Sequence, residues 1–412
     1  MTDDTTPSAS DPDFDIRSLS AEPSTDTKST VHAAVEEALA ASAGGETAAD
    51  VTSIANYQGV NFVPGDGDEP GEVHVLVNEK QPPTSLSDAD LIPNSIDLFG
   101  NEVAIDVVEV GDLQRPDPQN LLLDIARFLP PFLQKVILRG YRYYRQAKQL
   151  SKDLLAKWTY GFPPIDRQTR HRPVVPSVSV GHIDITAGTL GAILEREDGT
   201  LVGLTNAHVA APHKADPEAG DTIVQPGPRD AAIQDSSKNR IGSLAEWSPI
   251  TTGEDEVNHT DSALFEFDED VKAISTHMPG LGRYDGGLIP KPGDDIPIGG
   301  IDLDPPTDRE FMKVGRTTDE RHGLVVEESA RTRINYRRES PATFEGVTLF
   351  EDMSAGGDSG SVIGYRATDE NGDPAFYITH LLFAGSDTVT IAVPFEQVIE
   401  EHGDLSLPEP EN

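Results

Sequence analysis

The chain has 412 residues, of which 71 are Asp or Glu and 32 are Lys or Arg, so its net charge is −39 at pH 7. It contains no cysteine, which excludes disulfide bonds, thiolate metal sites and a cysteine nucleophile. Because acidic residues occur along the whole chain, they indicate a heavily hydrated surface of the halophilic kind rather than one binding site. The sequence has no apolar run of membrane-spanning length and no signal-type apolar stretch, which predicts a cytoplasmic protein.

The N-terminal region is predicted to hold a tail and a small domain. Residues 1–30 are rich in Ser, Thr, Asp and Pro, a composition that predicts a disordered acidic tail. A helix is expected over Val31–Ser42, before a pair of glycines. The segments that follow, such as "EVHVLVNE" and "EVAIDVVEVG", alternate or run apolar between Pro, Gly and Asp breaks, as strands do. Residues 31–115 are therefore predicted to form a small α+β domain.

Residues 116–172 differ from the rest of the chain in charge. Residues 121–172 hold 11 Lys or Arg and 3 acidic residues, and their apolar side chains recur at helical spacing. This pattern predicts a basic amphipathic helical insertion, which could pack on the protein or a partner, lie on an anionic membrane or bind nucleic acid. Residues 121–160 are expected to dock on protein first, on a membrane second and on nucleic acid last, because salt weakens phosphate contacts. The chain could also form a homo-oligomer.

From Pro173 onward the sequence predicts an all-β region. A first group of about six short strands runs from "VSVGHIDIT" to "SALFEF", and a second group runs from "FMKVG" to "TVTIAV". A last helix is expected over Phe395–Glu401. Two such groups predict two β-barrels or sandwiches over residues 173–405, followed by a tail of residues 406–412.

One stretch in the second group, "MSAGGDSGSVIGY", places Ser359 between glycines and just before an apolar strand. Glycine permits backbone conformations with positive φ, so the serine is expected on a tight, exposed turn held by a rigid strand. Such a turn presents a nucleophile, but an ordinary hairpin turn has the same sequence pattern.

Two upstream residues could activate this serine, since a serine hydroxyl needs a base and the base needs an orienting partner. His208 ends an apolar strand in "LVGLTNAHVAA", and Asp261 begins one in "NHTDSALFEF". Burying the acid unpaired is expensive, and a hydrogen bond between the two side chains would satisfy both. The chain order His, Asp, Ser is that of the chymotrypsin type. Asn206 and Ala207 are expected to serve the turn only.

With these motifs the chain resembles the chymotrypsin/trypsin-like serine proteases. The stretches "ITAGTLGA", "LTNAHV", "KVGRTT" and "GGDSGS" resemble the intracellular branch that includes plant Narrow-leaf type proteins and prokaryotic relatives. The resemblance implies a double β-barrel and a serine endopeptidase that cleaves protein or peptide substrates without cofactor or metal. It also implies that His208 is the general base and acid, Asp261 orients it, and Ser359 attacks the substrate. The backbone N–H groups of Gly357 and Ser359 would form the oxyanion hole.

The resemblance also implies a substrate pocket lined by Met353, Phe383, Ala384 and Gly385. Met353 offers no carboxylate to bind Lys or Arg, which argues against tryptic specificity. Ser361 stands where relatives have a second glycine, a mild change.

Two charged residues near the site raise separate questions. In secreted relatives the aspartate at the position of Asp358 pairs with an N-terminus freed by cleavage. No activation site stands out here, so either another group satisfies Asp358 or the resting enzyme is partly disordered. Arg316, in "KVGRTT", is expected to form a structural ion pair rather than to bind substrate.

A second hypothesis keeps the barrels without free activity. The chain would then be a scaffold that docks partners or an anionic surface through residues 121–160. The unusual pocket and the missing activation site favour this hypothesis, whereas the intact set of three catalytic residue types argues against it.

Overall fold

The computed structural model describes residues 25–42, 54, 56–64, 71–81, 86, 91–111, 113, 166–184, 187–212, 216–231, 236–253, 256–275, 277–278, 296–337 and 340–408. The predicted acidic tail lies outside the described residues as far as residue 24. The predicted basic helical insertion also lies outside them, apart from residues 166–172.

The N-terminal part of the chain contains one helix and four strands. These are α1 (Thr25–Ser42), β1 (Tyr57–Val63), β2 (Glu72–Val77), β3 (Ser95–Leu98) and β4 (Asn101–Glu109). Strands β1 and β2 pair antiparallel, β2 and β4 parallel, and β3 and β4 antiparallel. Helix α1 packs on this sheet over one core that includes Val35, Leu39, Val60 and Val75. These elements agree with the predicted α+β content, while the domain boundaries stay a prediction.

Helix α1 starts earlier than expected. It begins at Thr25, whereas the sequence predicts a start at Val31 and a disordered segment before it. The added turn is held by a contact that lies far away in sequence, because the Ser29 hydroxyl donates to Glu345 Oε2 at 3.1 Å. Composition alone carries no information about that partner.

The remaining elements form the predicted β-rich region. In chain order they are β5 (Ser179–His182), β6 (Gly188–Thr189), β7 (Ala192–Arg196), β8 (Leu201–Thr205), α2 (Ala207–Ala210), β9 (Thr222–Val224), α3 (Ser236–Asn239), β10 (Arg240–Trp247), β11 (Val257–Asn258), β12 (Ala263–Phe267), β13 (His277–Met278), β14 (Ile296–Ile301), β15 (Phe311–Gly315), β16 (Asp319–Gly323), β17 (Val325–Arg337), β18 (Ser340–Glu351), β19 (Val362–Thr368), β20 (Pro374–Gly385), β21 (Val389–Pro394), α4 (Phe395–His402) and β22 (Leu405–Ser406). Helix α4 matches the predicted last helix, and β22 takes in the first residue of the predicted tail.

The described strands, including β1 to β4, belong to two sheets. The first sheet has eight strands in the order β22-β7-β8-β12-β10-β9-β5-β6. The second has fourteen, with the path β16-β15-β19-β20-β21-β18-β17-β1-β2-β4-β3 and β11, β13 and β14 attached beside it. The largest core lies between the sheets, joining Leu204 and Leu264 of the first to Leu381 and Ile391 of the second. The prediction of a mostly β fold over this region is confirmed.

The N-terminal strands extend the second sheet instead of forming a sheet of their own. Strand β1 pairs antiparallel with β17, with Gly59 opposite Thr332 and Val60 opposite Arg331. Glycine allows this close approach, because a Cβ at Gly59 would lie 2.0 Å from the Arg331 carbonyl oxygen. The predicted α+β part is thus joined to β17 of the second sheet by backbone hydrogen bonds.

Two histidine–glutamate pairs, one buried and one partly buried, reinforce this junction. The Nδ1 atom of His32, from α1, lies 3.1 Å from Glu345 Oε1, and that of His74, from β2, lies 2.7 Å from Glu327 Oε1. The Asn61 side-chain amide also donates to Glu327 Oε2 at 2.8 Å. Both glutamates belong to the β17–β18 hairpin, so the N-terminal part is attached there by polar contacts as well.

The junction is expected to weaken in alkaline solution through His74. The hydrogen bond with Glu327 raises the pKa of His74 above its ordinary value, against the opposite effect of partial burial. A folded-state pKa above the unfolded one gives stabilisation that is full below about pH 6.5 and lost as the pH rises through the raised value. We therefore expect His74→Gln to lower Tm more at about pH 5.5 than at about pH 9 in thermal unfolding. An equal loss of Tm at both pH values would contradict this expectation. The control is His259→Gln, because the His259 side chain is exposed.

Candidate active site

The structure brings His208 and Asp261 together at the ends of two paired strands. Strands β8 and β12 run antiparallel with Thr205 opposite Ala263. Helix α2, which follows β8, therefore lies beside Asp261, two residues before the start of β12. The His208 Nδ1–H donates to Asp261 Oδ2 at 2.5 Å, and the His208 backbone N–H donates to Oδ1 at 3.1 Å. Asp261 has no exposed side-chain surface. The predicted pairing of these two side chains is present.

The Asp261 carboxylate is held in its charged form. Burial by itself raises the pKa of Asp261, but the charge and hydrogen bond of His208, together with a hydrogen bond from Tyr336, outweigh it and lower the pKa. An ionised carboxylate can only accept, so the proton of the shared hydrogen bond sits on His208 Nδ1. In this tautomer the other ring nitrogen, Nε2, carries the lone pair and can therefore act as a proton acceptor.

Asn206 does more than serve the turn, which corrects the prediction made for it. Its side-chain amide donates to the backbone carbonyl of Asp261 at 2.6 Å. Asn206 is fully buried, and it fixes the start of β12 relative to α2. The sequence gives no sign of this bond, since the two residues meet only through strand pairing.

The Ser359 turn lies against the same strand ends. The Ser359 carbonyl accepts from the Thr189 N–H at 2.8 Å. A Cβ at Gly360 would lie 2.4 Å from Thr205 Oγ1, and a Cβ at Gly188 would lie 2.5 Å from Val209 Cγ2 and 2.9 Å from the Ser359 carbonyl oxygen. The backbone of Ser359 is therefore a close neighbour of the strand and helix that carry His208.

The turn with Ser359 is buried, so the prediction of an exposed turn is wrong, and the serine hydroxyl is not engaged. Ser359 Oγ is buried and has no hydrogen-bond partner within the described part of the chain, so the predicted bond from Ser359 to His208 is not formed in this structure. Catalytic hydrogen bonds are often long before substrate binds and tighten in the complex. The three-residue relay thus stays a prediction, with one of its two hydrogen bonds in place.

The predicted oxyanion hole has a well-defined backbone. Gly357 has φ +99°, a conformation that favours glycine. The Thr317 hydroxyl donates to the Gly356 carbonyl and the Thr189 hydroxyl to the Gly357 carbonyl, both at 2.9 Å. Because N–H and C=O point opposite ways across a trans peptide, the first bond directs the Gly357 N–H away from Thr317. Over the described residues, the N–H groups of Gly357 and Ser359 donate to no protein acceptor.

Arg316 forms the structural ion pair predicted for it. Its guanidinium binds both oxygens of Asp230, with Nε at 2.7 Å and Nη2 at 2.8 Å, and both side chains are buried. Its Nη1 also donates to Thr317 Oγ1 at 3.1 Å, and a Cβ at Gly357 would lie 1.7 Å from that nitrogen. Arg316 therefore packs directly against Gly357, one of the two residues of the predicted oxyanion hole.

Lys313 is the partner of Asp358, which needs another partner if no freed N-terminus reaches it. The Lys313 Nζ donates to Asp358 Oδ2 at 2.8 Å, and both side chains are fully buried. The carboxylate also accepts from the Thr317 N–H at 2.8 Å and from the Thr318 hydroxyl at 2.7 Å. Burial alone raises the pKa of Asp358, but the Lys313 charge and these donors outweigh it and lower the pKa.

The residues predicted to form the substrate pocket lie in the interior. Met353 packs beside Phe350 in one core cluster, and Phe383 and Ala384 belong to the main core. Gly385 is buried too, and a Cβ there would lie 3.1 Å from Ser354 Oγ. All four residues are thus buried, and their role in a substrate pocket stays a prediction.

Sequence reasoning also missed Tyr336 of β17. Its hydroxyl donates to Asp261 Oδ2, and its ring lies edge-on to that of His208 with the centroids 6.0 Å apart. Nothing in "TRINYR" distinguishes it from an ordinary strand tyrosine, because its partners lie far away in sequence.

The described residues hold no group of three or more His, Cys, Asp or Glu side chains that could bind a metal ion. No helix in the described ranges is both long enough and apolar enough to cross a membrane.

No family model matches the chain, and no curated protein matches it. Solved structures similar to it include Thermobifida fusca protease A, with a TM-score of 0.37, 15% identity and coverage of 57% of this chain and 97% of that one. A Nocardiopsis protease has a TM-score of 0.38 and 13% identity, covering 57% and 98%. Cellulomonas bogoriensis chymotrypsin has a TM-score of 0.36 and 14% identity, covering 57% and 99%. All three of these structures are proteases.

Proposed function

We propose that the protein is a serine endopeptidase that uses His208, Asp261 and Ser359. The observation that carries this proposal is the buried hydrogen bond of 2.5 Å from His208 Nδ1 to Asp261 Oδ2. It sets the imidazole in the tautomer that leaves Nε2 as a base, which is the role of the aspartate in a triad. The turn with Ser359 packs on the strand that leads to His208, which supports the same assignment.

In the proposed reaction, His208 Nε2 takes the proton of Ser359 Oγ as that oxygen attacks the scissile carbonyl carbon. The carbonyl oxygen becomes an oxyanion, and the N–H groups of Gly357 and Ser359 would donate to it. His208 then gives its proton to the amine nitrogen as the carbon–nitrogen bond breaks, so the amine departs and an ester remains on Ser359. Water attacks that ester with His208 again as base. The ester C–O bond breaks, His208 returns the proton to Ser359 Oγ, and the carboxylic acid product leaves.

The test is labelling by a fluorophosphonate, which reacts covalently with an activated serine. We expect wild-type protein to be labelled in high salt and Ser359→Ala to remain unlabelled. Ser361→Ala is the matched control, because Ser361 is a buried serine two residues away whose hydroxyl donates to the Asp358 carbonyl at 2.6 Å. Labelling of Ser359→Ala, or no labelling of the folded wild type, would contradict the proposal.

The finer assignments are part of the same proposal. The substrate is a protein or peptide, and the absence of a carboxylate at Met353 supports a preference other than Lys or Arg. The acidic, cysteine-free composition supports a cytoplasmic enzyme of the intracellular branch. Docking of the basic residues 121–160 on protein, or on an anionic membrane, and homo-oligomer formation are further proposals that rest on the sequence.

The scaffold hypothesis has one observation in its favour, the unengaged Ser359 hydroxyl. A scaffold would bind the same partners with or without that hydroxyl. Pull-down with wild type and Ser359→Ala, combined with a search for cleaved products, distinguishes the scaffold from the protease. An unchanged set of partners with no cleaved product favours the scaffold.

A further inference from the structure

We propose that Tyr336 is a positioning residue for Asp261, an inference that rests on the proposed protease function. The Tyr336 hydroxyl donates to Asp261 Oδ2, the oxygen that also accepts from His208 Nδ1. His208 and Tyr336 are the titratable groups within hydrogen-bond distance of this fully buried carboxylate in the described part of the chain. Tyr336 thus limits rotation of the carboxylate that orients the imidazole.

The new donor comes from the opposite sheet. His208 and Asp261 follow and precede strands of the eight-stranded sheet, whereas Tyr336 lies in β17 of the fourteen-stranded sheet. A hydrogen bond across this boundary fixes the two sheets relative to each other at the site. Loss of the hydroxyl would therefore alter the geometry of the His208–Asp261 pair and not only the local packing.

An aromatic stack keeps the Tyr336 ring in place. The Tyr336 ring stacks on the Phe344 ring with the centroids 5.6 Å apart and an interplanar angle of 24°. The centroids of Phe344 and the fully buried Phe383 lie 4.6 Å apart. Aromatic pairs at such distances add to the energy of burial. The core thus holds the Tyr336 hydroxyl in position. Phe383, which is predicted to line the substrate pocket, contributes by packing against Phe344.

The same strand end also contacts the N-terminal part of the chain. The Asn335 N–H, next to Tyr336, donates to the Leu113 carbonyl at 3.4 Å. A few residues earlier, Thr332 and Arg331 pair with β1. The N-terminal part therefore contacts the strand that carries Tyr336.

The experiment compares Tyr336→Phe with Tyr365→Phe. Tyr365 is the matched control, because its hydroxyl also donates to an aspartate carboxylate, that of Asp302. We expect Tyr336→Phe to lower kcat roughly tenfold to a hundredfold, the range for a hydrogen bond to a charged group, with KM unchanged. Without this donor the carboxylate stabilises the His208 imidazolium more strongly, so the acid limb of kcat/KM should move to higher pH.

A second readout does not depend on activity. The proton between His208 Nδ1 and Asp261 should give a low-field resonance in NMR, which we expect to shift in Tyr336→Phe and to stay in place in Tyr365→Phe. If wild type is neither labelled nor active, the proposed protease function fails, and this resonance still tests Tyr336. The inference is overturned if the two variants match in kcat, in the acid limb and in the resonance, or, for an inactive protein, in the resonance alone.

Discussion

Replacement of Asp261 by asparagine is expected to lower kcat about 10⁴-fold, the loss seen when the same exchange is made in a protease triad. The asparagine amide presents an N–H to His208 Nδ1, so the imidazole proton moves to Nε2 and the base is lost. Geometry should be kept, because the two side chains have the same shape. Steady-state hydrolysis of a peptide substrate measures the effect, with kcat and KM determined separately.

The control for this exchange is Asp302→Asn, which changes a carboxylate that also accepts from a tyrosine hydroxyl but belongs to the pair with Tyr365. We expect it to keep kcat within a few-fold of wild type. A fall of less than about tenfold in Asp261→Asn would show that this carboxylate does not set the tautomer of His208.

Replacement of Lys313 by methionine is expected to destabilise the protein by about 3–5 kcal/mol, because it leaves the buried Asp358 carboxylate without its counter-charge. Both side chains are fully buried, so water cannot replace the lost partner. Urea unfolding at neutral pH measures the loss as a fall in the midpoint concentration. Activity should fall as well, since Asp358 directly precedes Ser359.

The pH dependence and a second variant identify the cause. In wild type the lowered pKa of Asp358 gives stability that is present above the unfolded pKa of about 3.9 and is lost as the pH falls through the folded value. In Lys313→Met the unpaired carboxylate has a raised pKa, so its destabilisation should shrink towards about pH 4. The double variant Lys313→Met/Asp358→Asn should recover much of the stability at neutral pH. A double variant no more stable than Lys313→Met would mean that methionine disturbs packing instead.

Local pattern was enough to find His208 and Asp261, because each is a polar residue at the end of an apolar strand and the pairing of those strands brings them together. Lys313 is different. A lysine inside "FMKVG" signals a buried cation, but its partner, 45 positions later, cannot be read from spacing. Tyr336 had no local signal at all, since strand tyrosines are common and its contact crosses between sheets.

The N-terminal part shows the same limit at the level of the fold. Alternating apolar residues correctly indicated β2 and β4, but the pattern of a strand does not say which edge it joins. Gly59 is a clue in retrospect, because its missing Cβ is what lets β1 approach β17 so closely.

The pairing of β1 with β17 also bears on solubility. Without the N-terminal part, strand β17 would lose its partner at Arg331 and Thr332 and present unpaired backbone N–H and C=O groups there to the solvent. Open strand edges of this kind template the addition of strands from other molecules. A shortened chain that keeps only the barrels would therefore tend to aggregate, even though all its proposed catalytic side chains would be present.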